Sequence, residues 1–134
     1  MHRTSNLVLA IGLGAAMAAS LGACASPRAQ AMTGARLETA IAAASAHSLG
    51  SRANPVRAEG LAGARTYLGR LRCANGAIPR STNAGAPSYG PFGADIERYE
   101  LVCDGGDPPA ASIFIDAHHA HIESEAPPGF AIMP

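Results

Sequence analysis

The chain has no lysine and no tryptophan, and only three phenylalanines and three tyrosines among 134 residues. All ten positive side chains are arginine, ten acidic residues offset them, and the formal net charge is zero. That balance argues against a nucleic-acid partner, which would need clustered positive charge. Alanine, at thirty residues, inflates an apolar fraction of 48%. An alanine side chain buries little area, so the interior available to this chain is thinner than that fraction suggests. The length suits one small domain and is too short for several. There is no serine-nucleophile elbow, phosphate loop, H-E-x-x-H motif or internal repeat, so none of the functions those patterns serve is indicated.

Nor is there a strongly apolar run long enough to span a bilayer, which takes about 20 residues. The longest candidate is Leu7 to Leu21, LVLAIGLGAAMAASL, fifteen uncharged residues rich in glycine and alanine. It follows a short positive start at Met1 to Arg3 and precedes the small residues Gly22 and Ala23. This order is that of a secretory signal, expected over residues 1–23 and removed on export.

Two cleavage readings compete. Leu21-Gly22-Ala23-Cys24 resembles the lipobox of bacterial lipoproteins, with glycine at its second position. The resemblance implies that Cys24 takes a diacylglycerol on sulfur and becomes the new N-terminus. Two or three acyl chains anchor a protein stably where one does not, at about 0.8 kcal/mol per buried methylene. Ala25 stands where an aspartate often retains such proteins in the inner membrane, so the outer membrane is favoured in a double-membraned cell. The rival is Ala23-Cys24-Ala25, an A-x-A site whose cleavage after Ala25 would release a free secreted domain; Ala29-Gln30-Ala31 is a second such site. The apolar run ends at Cys24, which favours the lipobox.

With Cys24 lipidated or removed, Cys73 and Cys103 remain. An even count in an exported chain points to a disulfide between them. Neither a C-x-x-C redox pair nor a four-ligand zinc pattern is present.

Residues 24–32 (CASPRAQAM) read as a tether, and residues 33–134 as the domain. Thr33 suits the start of a helix running to about Leu49, with Leu37, Ala40, Ile41 and Ala44 at helical spacing. Residues 51–63 read as connector. Ala64 to Cys73 alternates through Tyr67, Gly69, Leu71 and Cys73 as a strand, although a short helix also fits. Residues 74–93 carry nine glycine, proline and asparagine punctuators and read as a long loop. Glu97–Cys103 and Ser112–His118 flank Asp104-Gly105-Gly106-Asp107-Pro108-Pro109 as a hairpin. Phe130, Ile132 and Met133 read as a tail that tucks back. For the cysteines to meet, the first two strands must run parallel or one cysteine must lie beyond its strand. The expected fold is α+β: one helix packed on a three- or four-stranded mixed sheet with one disulfide.

The densest titratable cluster runs from Asp116 through His118, His119, His121, Glu123 and Glu125. If the strand continued, His119, His121 and Glu123 would share a face by period two and could hold a divalent metal with a position left for water. The plainer reading is an exposed strand end leading into a polar loop. Asp116 follows Ile113-Phe114-Ile115, so burial would require a partner, with Arg70, Arg72 and Arg98 as candidates. Tyr67 and Tyr99 read as core. Tyr89-Gly90-Pro91-Phe92-Gly93 reads as a contact loop, in which Tyr89 and Phe92 form a proline-stiffened aromatic tip.

The segment from Asn54-Pro55-Val56-Arg57 through the hairpin to Pro128-Gly129-Phe130, most of the mature chain, resembles small exported bacterial domains of unknown function, which implies no activity. The expected function is a non-enzymatic binding or structural domain of the cell envelope. It would be held to the membrane by its lipid and meet an envelope protein through the long loop or a sheet edge. The alternative is a periplasmic metal-binding or metal-dependent enzyme domain using the His118–Glu123 segment.

Overall fold

The structure, a computed structural model, describes residues 30–134. The expected signal over residues 1–23, Cys24 and both proposed cleavage points before Ser26 lie outside these residues. Two helices, α1 (Gly34–Ala44) and α2 (Gly60–Arg70), accompany seven strands: β1 (Val56–Arg57), β2 (Leu71–Arg72), β3 (Arg80–Asn83), β4 (Ser88–Tyr89), β5 (Asp95–Val102), β6 (Ala110–Asp116) and β7 (Ala131–Ile132). The main sheet has the order β1-β6-β5-β3, with β4 also on β5, and β2 pairs with β7 in a second small sheet. β1 runs parallel to β6 and the other pairs are antiparallel, so the sheet is mixed. The α+β class, the mixed sheet and the single disulfide match expectation. A second helix and additional short strands enlarge the expected count.

The centre is the β5–β6 hairpin, paired from Glu97↔Ile115 to Val102↔Ala110. On its odd face Leu101, Ile113 and Ile115 are buried with Val56, and Tyr99 packs against them. α2 covers this face with Ala64, Tyr67 and Leu68, three and four positions apart, and Leu71, the first residue of β2, continues the buried row. Alternation and helical spacing both pass through Tyr67 and Leu71. Burial of Ala64 and Leu68 marks residues 64–70 as helix, the short helix that also fitted, so that of the strand expected over 64–73 only Leu71–Arg72 is strand. The physical reason is coverage: the sheet has one long apolar face, and a helix stripe covers it better than an additional strand would.

α1 is shorter than expected. It ends at Ala44, and Ser45 to Gly50 form turns instead. The Asn54 side chain donates to the His47 carbonyl at 2.9 Å, which satisfies an acceptor just past the helix. Only Ala44 of α1 is buried, as the thin alanine face implied.

The expected long loop 74–93 contributes two short strands, Arg80–Asn83 and Ser88–Tyr89, to an edge of the sheet. Asn83 faces Tyr99 and Ser88 faces Ile96, so four edge residues, 84–87, oppose two on β5. β3 and β4 are therefore one edge strand interrupted by a bulge. Bulges and edge prolines, here Pro87, discourage uncontrolled strand pairing.

Cys73 lies just past β2 and Cys103 just past β5. They form a disulfide with Cα atoms 5.8 Å apart, and each residue is buried. Of the two arrangements that would let them meet, the structure has the second: each cysteine lies beyond its strand, and no parallel pairing is needed.

Candidate functional site

Among the described residues, three places bring chemistry-bearing groups together. The first lies where β6 ends. The strand stops at Asp116, so the following histidines do not alternate on a sheet. The chain turns instead, and His119 folds back onto the carboxylate three residues earlier. His119 Nδ1 lies 2.7 Å from Asp116 Oδ2, and Nε2 lies 3.0 Å from the Met32 carbonyl oxygen. The other carboxylate oxygen accepts the His118 backbone N–H at 2.8 Å. Asp116 is 0% exposed and His119 7%. A carbonyl only accepts, so Nε2 carries hydrogen and donates it, and one proton bridges Nδ1 and Oδ2. The arginine partner expected for Asp116 is replaced by this histidine. The nearer ring wins because it reaches the carboxylate within one turn, without burying a guanidinium.

The same contact fastens the N-terminal segment. The Met32 N–H donates to the Phe92 carbonyl at 2.8 Å while the Met32 carbonyl accepts from His119. Phe92 meets the His119 ring edge-on, with centroids 5.9 Å apart. Gly93 has φ of 78°, and a Cβ there would sit 2.7 Å from the Gln30 carbonyl oxygen. Phe92, Ala94 and Ile96 are buried here, where β5 begins, and lie outside the core cluster that α2 covers. This small second core explains why Ile96 and Leu101 are both buried despite their opposite parity on β5.

The second place is a cleft of about 120 Å³ between α2 and the segment after His119, lined among others by Glu59, Thr66, Tyr67, Arg70, His121 and Glu123. His121 Nε2 stands 3.8 Å from Glu123 Oε2. Glu123 Oε1 accepts the backbone N–H groups of Ser124 and Glu125 at 2.9 and 3.1 Å. Arg70 donates to the Glu123 and Met133 carbonyls at 3.0 and 2.7 Å, and the Tyr67 hydroxyl donates to the Glu125 carbonyl at 3.1 Å. Burial raises the Tyr67 phenol well above its ordinary value; the Glu123 carboxylate adds to this and Arg70 opposes it. The structure brings His121 and Glu123 together and directs His119 elsewhere, with Nε2 committed to a carbonyl. Among the described residues no three histidine, cysteine or acidic side chains converge on a point that a metal ion could occupy.

The third place is the tip of the edge strand. Tyr89 is 56% exposed, while Phe92 is 1% exposed. The expected aromatic pair is thus divided, one ring facing out and one forming part of the second core. Arg52 braces the tip, donating to Ser88 Oγ at 2.7 Å and to the Tyr89 carbonyl at 3.1 Å. Its guanidinium also lies over the Phe114 ring, 5.9 Å from the centroid. With Ala53, Gly90 and Pro91, Arg52 and Tyr89 line an open cleft of about 500 Å³. Sequence reasoning assigned Arg52 to a connector and missed this role. No short-range pattern links it to Ser88, 36 residues away.

The chain matches no family model, no curated protein and no solved structure. None of the described helices is long and apolar enough to cross a membrane.

Proposed function

We propose that this chain is an exported lipoprotein of the bacterial cell envelope, acylated at Cys24, whose domain binds or organises another envelope component. The observation that carries the reading is the distribution of its three cysteines. Two are joined inside the domain, Cys73 to Cys103, and the third stands alone where the apolar run ends. A buried disulfide suits an oxidising compartment, and a lone cysteine at a lipobox suits acylation. Binding is favoured over catalysis because the clustered polar groups largely satisfy one another or the backbone: His119 is held between Asp116 and Met32, and Arg70 is held by two carbonyls. For an envelope protein partner, the exposed strand Arg80–Asn83 offers a polar surface. The long loop and a sheet edge, named as alternative contact surfaces, overlap at Arg80–Asn83 and Ser88–Tyr89.

Mass spectrometry of the native N-terminus tests the reading. A diacylglyceryl-modified Cys24, lost together with membrane association in Cys24→Ser, is the expected result. A mature chain beginning at Ser26 would instead make this a free secreted domain. A second reading, metal binding, draws on the proximity of His121 to Glu123. It requires zinc binding by the wild-type protein that His121→Ala abolishes.

A further inference from the structure

We infer that the tip of the edge strand, Tyr89 to Pro91 with Arg52 beside it, lies against the lipid bilayer and seats the Tyr89 ring in its headgroup interface. This rests on the proposed anchor at Cys24. The argument starts from where the chain meets the domain. Residues 30–32 are not a loose tether: Met32 is bonded through both its N–H and its carbonyl, and the Gln30 carbonyl occupies the space beside Gly93. From Cys24 to Gln30 there are six residue steps, which span at most about 20 Å even when fully extended. An acylated Cys24 therefore holds the Phe92–Gly93 turn within that distance of the membrane.

The tip belongs to the same turn. Gly90 N–H donates to the Ala94 carbonyl at 2.8 Å and Gly93 N–H to the Gly90 carbonyl at 3.3 Å, so Tyr89 projects from the structure that receives the tether. A tyrosine with an exposed ring and a polar hydroxyl is suited to the membrane–water interface. Arg52 holds the tip by two hydrogen bonds, so its shape is set before it meets lipid. Asp95 pairs with Tyr89 across the strand pair, so the tip carries one acidic and one basic side chain and no net charge. Contact with zwitterionic lipid is therefore expected to suffice.

The far end of the sheet is the internal control. β5 spans seven residue steps from Asp95 to Val102, about 23 Å at the usual strand rise. Tyr89 pairs at the first end, and Arg80, two residues after the exposed Ile78, pairs at the second. The chain has no tryptophan, so Tyr89→Trp and Ile78→Trp each place a single fluorescent reporter at one end.

The test uses each full-length variant, processed in its host, purified from membranes and returned to phosphatidylcholine vesicles. Brominated phosphatidylcholine serves as the quencher. The expected result is a blue-shifted indole emission from the Tyr89→Trp variant, quenched several-fold more strongly than the emission from the Ile78→Trp variant. If both proteins float with the vesicles and the Tyr89→Trp emission is quenched no more than that of Ile78→Trp, this inference is overturned and the anchor stands. That outcome would return the tip to the role of a protein contact. Protein that fails to float overturns the anchor reading and this inference with it.

Discussion

Replacing His119 with alanine removes the only side chain bonded to a fully buried carboxylate among the described residues. Asp116 would keep one hydrogen bond, from the His118 N–H, and lose the contact at 2.7 Å. Removing one partner of a buried ionisable pair costs about 3–5 kcal/mol, because the group left behind is desolvated and uncompensated. Domains of this size have roughly 5–15 kcal/mol in total, so the loss is a large share of the whole. The Met32 carbonyl loses its donor in the same substitution, and the N-terminal strap should loosen with it. Urea unfolding of wild type, His119→Ala, Asp116→Ala and the double variant supplies the energies, and amide exchange at Met32 reports the strap. The expected pattern is a large loss in each single variant, a double variant well short of their sum by about 1 kcal/mol or more, and faster Met32 exchange throughout. His121→Ala, at an exposed site, should stay within about 0.5 kcal/mol of wild type. A His119→Ala loss no greater than that of His121→Ala, or strict additivity in the double variant, would refute the latch.

Cys73→Ser and Cys103→Ser should each destabilise the domain by about 3–4 kcal/mol, the loop-closure value for their 30-residue separation. The double variant should add little in urea unfolding, and additive losses would contradict the bond as the common cause. Burial holds the Tyr67 phenol above its ordinary value near 10, so above that pH the unfolded chain releases a proton that the folded chain keeps. Stability should therefore fall with rising alkalinity, at up to about 1.4 kcal/mol per pH unit from this group. Tyr67→Phe should flatten that slope in urea melts taken on both sides of pH ~10, and unchanged slopes would reject the assignment.

The hairpin could be read from the sequence because its information is local. Ile113 and Ile115 alternate with Ser112 and Phe114, and a turn of glycines and prolines separates two such runs. The cysteine pair was readable by counting. α2 was ambiguous because Tyr67 and Leu71 satisfy both periods, and only the face they cover decides between them. The edge strand was hidden because its pairing residues, Arg80 to Asn83, are all exposed and carry no apolar signal. β1 consists of two residues whose parallel partner is 59 positions away, so nothing local announces it. The histidines misled for a related reason. Period two holds only while a strand lasts, and β6 ends at Asp116. The spacing of Asp116 and His119 was visible, but what makes it a latch is a carbonyl 87 residues earlier.

A thin interior explains why the two strongest polar and covalent devices sit where they do. The apolar core is concentrated along the middle of the hairpin, at Leu101, Ile113 and Ile115, under α2. Beyond it at one end, where β5 runs into the turn, Cys103 is joined to the segment after α2. At the other end, where β6 stops and β5 begins, Asp116 and His119 hold Met32 against Phe92. Strand ends fray first, because each lost residue gives up little packing and gains backbone freedom. With few large side chains available there, a covalent link and a buried hydrogen-bonded pair restrain the two ends instead. The second device also joins the domain to the segment that leads toward Cys24. A pull on that segment would thus be borne first by hydrogen bonds to Phe92 and His119 rather than by the alanine-rich α1, whose only buried residue is Ala44.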